Sequence, residues 1–272
     1  ARVVLTPALR GEYAHLFDSC RIRPERGDEV EILVKQLLNN QPRYEKVAEA
    51  LGIPWSFIAV IHNMASGQSF HKHLHNGDPL TARTVQQPPG RPKNGSPPIT
   101  WEQSAADALQ LKRLGADTDW SLAGTLYQLE RYNGFGYRLY HPHVLSPYLW
   151  VFNHYSSGKY VADGTWSDSA VTKQCGAAVL LRRMAERGLV EFADQPRPAA
   201  SSGPLVAGYS MQKPGDPALE RQVVALQHWL NGFPGVFVKV DGIPGQRTSE
   251  AYRQVTGHYL PGDPRQAQRQ AA

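Results

Sequence analysis

Apolar residues recur at helical spacing over much of the chain, and this period constrains the fold more than any other feature. In DEVEILVKQLLNNQPRYEKVAEALG they fall three and four residues apart, as on one face of an α-helix. Gly52 ends this stretch, and Pro54 suits the first turn of the next helix, over about 54–66. Thr100 and Gln103 have the spacing of a capping box. The pattern predicts a mainly α fold, α+β at most.

A change in composition divides the 272-residue chain into two parts. Residues 193–208 are rich in Pro, Ala, Ser and Gly, which is typical of a linker. We therefore predict one domain over residues 1–192 and a second over 209–272. The second has helical patterns near 218–231 and 246–256.

Composition and charge exclude several classes of protein. Hydrophobic residues make up 41% and charged residues 19%, as in globular domains. The net charge of +5 fits an anionic partner such as an acidic cell-wall polymer. The basic residues are scattered, however, so we predict no nucleic-acid binding. No apolar run approaches the ~18 residues that span a bilayer, so we predict no membrane insertion.

The cysteine and histidine patterns are weak indicators of a disulfide or a metal site. Cys20 and Cys175 are compatible with one disulfide or with two buried thiols. His71, His73 and His75 alternate in HKHLH, whereas two zinc ligands on a helix stand four residues apart. We predict neither a metal nor a cofactor.

The stretch IHNMASGQSF combines the end of an apolar helix with a set of polar residues around Ala65. His62 lies three residues earlier, on nearly the same helix face, and Ser66 follows directly. A loop over residues 71–100, rich in Pro, Gly and Asn, then carries Asp78. Loops of this length in compact domains are usually functional or mobile, so we predict a site here.

The C-terminal part resembles the small three-helix peptidoglycan-binding domain. The matching residues are LQHWLN on a helix, followed by VDGIPGQRTSEA. Asp241 and Gly242 favour a turn that leads into the next helix. The resemblance implies attachment to peptidoglycan, and a capping turn that binds nothing is the alternative.

Several segments between residues 55 and 185 together resemble the lysozyme-like superfamily, closest to bacterial and phage lysozyme-family proteins related to goose-type lysozymes and lytic transglycosylases. These segments are IHNMAS, LHNGDPLTART, PPGRP, WEQSAADAL, LYQLERYNGFGYR and SPYLWVFNHYSSGKYVADG. In that superfamily a Glu stands immediately before the Ser, where this chain has Ala65. The resemblance thus implies that position 65 is the place of a general acid. The chain is then either an engineered inactive form or a natural non-catalytic relative.

The resemblance also implies roles for residues near Ala65. Asp78 would hold the attacking water, or it simply caps a turn, and Thr81 and Thr84 would help to hold that water. Ser66 would anchor the acid's backbone or carboxylate. His62 would hydrogen-bond the site, or it is a buried histidine with its partners satisfied.

A second set of candidates lies farther along the chain. Glu130 would be a second carboxylate, or a structural ion-pair partner of Arg131. Tyr132 and Asn133 would contact a sugar ring, or they form a helix end with a packed tyrosine. An aromatic and polar stretch supplies the remaining candidates, which are Tyr148, Trp150, Asn153, His154, Tyr155 and Lys159. The stretch is suited to a glycan groove, or its aromatic residues belong to the core.

The implied activity is hydrolysis of the β-1,4 amino-sugar backbone of peptidoglycan, which needs a proton on the leaving oxygen. Lytic transglycosylation, cleavage of chitin or chitosan, and glycan binding without catalysis are the alternatives. Asp78 favours hydrolysis slightly, because it offers a place to hold water. We expect a monomer in the cell envelope or outside the cell, although the N-terminus has no signal-peptide pattern.

Overall fold

The computed structural model describes residues 2–187, 189, 190, 192, 194 and 206–266. These residues are mainly helical, which confirms the predicted fold class. In chain order the helices are α1 (Pro7–Asp18), α2 (Gly27–Asn39), α3 (Gln41–Leu51), α4 (Trp55–Ser66), α5 (Trp101–Leu111), α6 (Leu122–Asn133), α7 (Gly136–Tyr140), α8 (Pro147–Trp150), α9 (Ala177–Glu186), α10 (Pro217–Leu230) and α11 (Gln246–Thr256). In the described residues the only sheet pairs β1 (Lys159–Ala162) antiparallel with β2 (Thr165–Ser167).

The chain divides into two compact units. The first comprises Ala1–Cys20 and Val30–Leu181, and the second comprises Arg21–Glu29 and Arg182–Ala272. The second unit therefore includes a segment from near the N-terminus, which the composition of the chain does not indicate. Most of the predicted linker, 193–208, lies outside the described residues, as does the end of the predicted second domain.

Helix α4 is deeply buried in the first unit. Every residue from Ser56 to Asn63 is buried, as expected for a helix that is apolar on all sides. It packs against α3 and α6. Its last three residues, Met64 to Ser66, are only half-buried, and Gly67 ends it in the left-handed conformation at φ +59°. The helix therefore runs through the core and reaches the surface at its C-terminal end.

No single helix in the described ranges is long and apolar enough to span a membrane. Helices α3 and α4, bent 119° relative to each other, meet that criterion only when they are taken together. Cys20 and Cys175 both lie buried as thiols.

The second unit is organised around one buried glutamine. Helices α10 and α11 match the predicted helical patterns closely at both ends. Gln227 donates its amide to Asp241 Oδ1 at 2.9 Å, Thr248 Oγ1 at 3.0 Å and the Ile243 carbonyl at 3.1 Å. Its oxygen accepts from the backbone amides of Asp241 and Gly242. The conspicuous residues of the C-terminal motif thus hold its turn against α10, which is a structural task.

Candidate functional site

The end of α4 is fixed by contacts to its backbone carbonyls. Ala65 is the last residue but one of the helix and is half-buried. Gln174 donates its side-chain amide to the carbonyls of Asn63 at 2.9 Å and Met64 at 3.3 Å. The Asn63 carbonyl also accepts from the Gly67 amide, whereas the Met64 carbonyl lies in the last turn and has no partner within the helix. The side chain at position 65 therefore stands on a fixed backbone.

The long loop after α4 passes directly over Ala65. A Cβ atom on Gly77 would lie 2.7 Å from the Ala65 carbonyl oxygen, and Gly77 has φ +83°. Both the space and the backbone conformation favour glycine here. The predicted proximity of Ala65 and the loop that bears Asp78 is therefore present in the fold.

Gly77→Ala should destabilise the first unit by about 1–3 kcal/mol, because it adds a backbone clash to the cost of positive φ. The matched control is Gly90→Ala, since Gly90 lies in the same loop at φ +71° with nothing within 4 Å of the added Cβ. Urea unfolding of both variants measures the difference. An equal loss in the two variants would contradict the close approach of Gly77 to Ala65.

Asp78 organises the loop. Its Oδ2 accepts from the backbone amides of Val85 at 2.8 Å and Gln86 at 2.9 Å, and its own amide donates to Asn76 Oδ1. Burial raises the pKa of Asp78, but the hydrogen bonds from Gln86 and Val85 outweigh burial and keep the pKa below its usual value. The carboxylate therefore acts as a turn cap, the structural alternative for this residue.

A buried polar network holds the same loop on α5. His75 Nε2 donates to Asp107 Oδ2 at 2.6 Å, and Arg91 contacts both oxygens of Asp107. His73 hydrogen-bonds to Ser104 at 2.9 Å. No metal-binding cluster of His, Cys, Asp or Glu is found in the part of the chain that the structure describes. His73 and His75 therefore hold the loop in place, whereas His71 is exposed.

Of the two alternatives for His62, contact with the site and a buried histidine with satisfied partners, the structure shows the second. The side chain is fully buried, with Nδ1 2.8 Å from the Tyr44 hydroxyl and Nε2 2.9 Å from the Ser69 carbonyl. Its ring lies among Tyr44, Phe70 and Trp101. Both nitrogens are satisfied and water has no access, so His62 cannot touch a substrate.

Ser66 also makes structural contacts. Its Oγ lies 3.2 Å from the His62 carbonyl and 3.3 Å from the Ser69 carbonyl, and donates to this pair. The hydroxyl thereby helps to close the turn after α4, next to position 65. This is consistent with the predicted anchoring of the backbone, whereas contact with an acid side chain stays a prediction.

The burial of His62 predicts that the folded chain loses stability at acidic pH. Burial lowers its pKa from 6.5 to about 4, more than its hydrogen bond to Ser69 raises it. Unfolding exposes the ring, so the unfolded chain takes up a proton at higher pH. This contribution to stability is complete above pH ~6.5 and falls by roughly 3 kcal/mol towards pH 4. We expect His62→Gln to reduce the slope of the unfolding free energy against pH. Between pH ~4 and ~6.5 the reduction should correspond to the uptake of about one proton fewer on unfolding. An unchanged slope in the variant would contradict this.

Two candidate tyrosines lie on neighbouring helices, Tyr132 at the end of α6 and Tyr148 on α8. Tyr132 donates its hydroxyl to the Leu74 carbonyl at 2.9 Å. The Tyr148 hydroxyl is buried without a hydrogen-bond partner among the described residues. Burial raises the pKa of Tyr148, and Tyr132 is close enough to raise it further. Asn133, the last residue of α6, is exposed. The end of α6 and helix α8 thus meet near the same loop that covers Ala65.

Glu130 was predicted as a site residue, and the structure places it elsewhere. Its carboxylate is buried and bound by Arg138 at 2.8 and 2.9 Å and by the Tyr13 hydroxyl at 3.1 Å. Arg138 also binds Glu12. The structural ion pair therefore exists, but with Arg138 rather than the predicted Arg131. A carboxylate held in this way is not available to a substrate.

The aromatic stretch after α8 contributes mainly to the core. His154 donates to the Leu16 carbonyl at 2.7 Å, so it binds α1 rather than a glycan. Trp150 and Tyr155 are buried, and the backbone amide of Asn153 donates to the Trp150 carbonyl. Trp150 and Tyr155 therefore belong to the core, the alternative reading of this stretch, and His154 is held by α1.

Three further candidates lie at different places. Lys159 is half-buried on β1 and pairs with Ser167 across the hairpin. Thr81 is exposed on the loop. Thr84 is buried and accepts from the Arg91 amide at 2.8 Å, so it stabilises the loop instead of holding water.

Sequence reasoning missed an aromatic cluster at the hairpin. His141 stacks on Trp166 at 3.5 Å, and Tyr137 and Tyr160 contact the same indole ring edge to face. The available signal was the Asp-Gly turn between the strands, where Gly164 has φ +71°. Gln174, which holds the end of α4, has no sequence signal because it lies in an irregular segment.

Comparisons with protein-family models, curated proteins and solved structures found no significant match to this chain. The lysozyme-like resemblance therefore rests on the sequence motifs alone.

Proposed function

We propose that this chain is the framework of a glycosidase for the β-1,4 amino-sugar backbone of peptidoglycan, with Ala65 in the place of the general acid. The observation that carries the proposal is the position of Ala65. It stands where a buried apolar helix reaches the surface, on a backbone held by Gln174, under a loop that approaches through Gly77.

The surroundings suit an acid that works near neutral pH. A Glu at position 65 would be half-buried at a helix C-terminus, where burial and the helix dipole both oppose a negative charge. Its pKa would therefore rise and its proton would remain available for the leaving oxygen. The present methyl group donates no proton, so this chain binds without cleaving.

The sugar contact that the geometry supports best is Asn133. It is exposed at the end of α6 beside the loop, and its amide offers both a donor and an acceptor. The Tyr148 hydroxyl has no partner among the described residues, but it is buried and does not face a ligand.

Lytic transglycosylation is the second candidate, and one observation favours it. Asp78 Oδ2 is occupied by two backbone amides, so this carboxylate does not present that oxygen to water. Attack by a hydroxyl of the sugar itself needs no residue that holds water. Hydrolysis and transglycosylation differ in product mass by one water, which mass spectrometry resolves.

Binding by the present chain tests the proposal without catalysis. We expect it to bind soluble peptidoglycan fragments, and Asn133→Ala to weaken binding about two- to tenfold, the value of one hydrogen bond. Asn94→Ala, at an exposed position of the loop, is the matched control and should change nothing. Titration calorimetry with muropeptides and with chitin oligomers measures both variants and separates the two polymers. Failure to bind either polymer would oppose the glycan assignment.

A further inference from the structure

The sequence contains four pairs in which glycine follows asparagine, namely Asn76-Gly77, Asn94-Gly95, Asn133-Gly134 and Asn231-Gly232. In such a pair no Cβ atom hinders the approach of the glycine backbone nitrogen to the side-chain carbonyl of the asparagine. The nitrogen can attack that carbonyl and release ammonia, which converts the asparagine into a cyclic imide. The pairs are chemically alike, so contacts in the folded chain decide which of them reacts.

In the first pair both reacting groups are held. The Asn76 side chain donates to the carbonyls of Gln86 at 3.1 Å and Gln87 at 3.2 Å. The Gly77 nitrogen donates to the His73 carbonyl at 2.9 Å. Neither group reaches the other unless these hydrogen bonds break.

The pair in the second unit is held in the same way. The Asn231 side chain donates to the Val238 carbonyl at 2.8 Å and accepts from the Val238 amide at 2.6 Å. The Gly232 nitrogen donates to the Trp229 carbonyl at 3.0 Å. This pair is therefore also protected on both sides.

The pair at the end of α6 is protected through its glycine. Asn133 is exposed, but it is the last residue of the helix and its backbone is helical. The Gly134 nitrogen donates to the carbonyls of Glu130 at 2.9 Å and Arg131 at 3.1 Å. The attacking nitrogen is therefore occupied.

The remaining pair, in the loop over residues 71–100, has neither protection. Asn94 and Gly95 are both exposed. Among the described residues the Asn94 side chain and the Gly95 nitrogen have no hydrogen-bond partner. A Cβ atom added to Gly95 would meet nothing within 4 Å, so neighbouring groups do not obstruct ring closure.

We propose that Asn94 is a modification site, where the folded chain deamidates spontaneously and ahead of the other three pairs. The Gly95 nitrogen loses its proton and bonds to Asn94 Cγ, while the Cγ–Nδ2 bond breaks and Nδ2 leaves with that proton as ammonia. Water, the only co-reactant, then adds to either carbonyl of the imide and opens it to aspartate or isoaspartate. The inference does not rest on the proposed glycosidase function.

The product changes the charge of the loop that covers Ala65. Arg83 donates to the carbonyls of Pro92, Asn94 and Gly95, so its guanidinium lies beside the modified residue. Deamidation places a carboxylate within reach of this guanidinium, and charge-assisted hydrogen bonds are stronger than those to neutral carbonyls.

The test incubates the full chain at mildly alkaline pH in water enriched in heavy oxygen. Ring opening incorporates the label, so mass spectrometry of peptides, digested at acidic pH in ordinary water, separates this reaction from later handling. We expect Asn94 to deamidate at least about tenfold faster than the other three asparagines, because hydrogen bonds must break before those react. In guanidinium chloride, where the fold protects none of them, the rates should become similar.

Two glycine variants test the role of the attacking nitrogen. Gly95 and Gly90 lie in the same loop at φ +79° and +71°, each with open space around an added Cβ atom. The backbone cost of alanine is therefore similar at the two positions. We expect Gly95→Ala to slow the deamidation of Asn94 several-fold, and Gly90→Ala to leave its rate unchanged.

Three results would overturn the proposal. The first is a faster reaction at any of the other three pairs in the folded chain. The second is protection of Asn94 by folding to the same degree as the others, measured against the rates in guanidinium chloride. The third is the same Asn94 rate in Gly95→Ala as in Gly90→Ala, with equal thermal unfolding midpoints verifying that both variants are folded.

Discussion

Replacing Ala65 by Glu is expected to raise the rate of glycan cleavage about 10²–10⁴-fold over the present chain. The substitution places a carboxyl group at the half-buried end of α4, where burial and the helix C-terminus raise its pKa. A group that is protonated near neutral pH donates its proton to the leaving oxygen. The expected gain corresponds to about 3–5 kcal/mol of activation free energy.

The matched control is Ala65→Gln, which has nearly the shape of Glu but carries no acidic proton. We expect it to bind glycan and to cleave at the background rate of the Ala65 chain. Cleavage by the Gln variant at the Glu rate would show that the gain comes from shape rather than from acid catalysis. Equal and substantial cleavage by all three chains would place the catalytic acid elsewhere.

Arg138→Met is expected to lower the free energy of unfolding by about 3 kcal/mol. The substitution leaves the Glu130 carboxylate, only 3% exposed, without its guanidinium partner and with the Tyr13 hydroxyl as its remaining contact. Removing one member of a buried ion pair costs about 3–5 kcal/mol because the other charge stays buried. Arg138 is partly exposed, which places the expected loss at the lower end of that range.

Arg10→Met is the matched control for this prediction. Arg10 pairs with Asp119, but both side chains are more than 40% exposed. Exposed pairs contribute at most about 1 kcal/mol, so the control should lose far less stability. Urea unfolding at one pH compares the two variants. Losses of the same size would argue against a desolvated Glu130.

Local signals in the sequence predict the helices well. The Thr100 and Gln103 spacing forms the expected capping box, and Gly52 ends α3 in the left-handed conformation. Capping and periodicity depend on residues a few positions apart, so one sequence contains all that is needed. For the same reason α10 and α11 were predicted nearly to the residue.

Partners from distant segments decide which of the open alternatives applies to each candidate site residue. His62 was placed on the correct helix face, but Tyr44 on α3 and Ser69 after α4 satisfy both of its nitrogens. Glu130 was paired with its neighbour Arg131, whereas Arg138 from the next helix binds it. A sequence shows which residues carry charge, but the fold decides which of them meet.

The position of Ala65 at a helix end was predicted, but the contacts that hold this helix end were not. The apolar pattern of α4 placed residue 65 at the helix end, and the resemblance implied an acid there. Gln174 and the close approach of Gly77 emerged only from the structure. Both involve contacts to backbone carbonyls, which no pattern of side-chain types encodes.

The central claim is that position 65 is the acid position of a glycan-cleaving site. Mass spectrometry of soluble products from purified peptidoglycan sacculi, incubated with the Ala65, Ala65→Gln and Ala65→Glu chains, tests it most directly. We predict fragments of the glycan backbone from the Glu chain alone, and their mass shows whether water was added. The absence of fragments from a folded Glu chain, on sacculi and on chitin oligomers alike, would contradict the claim.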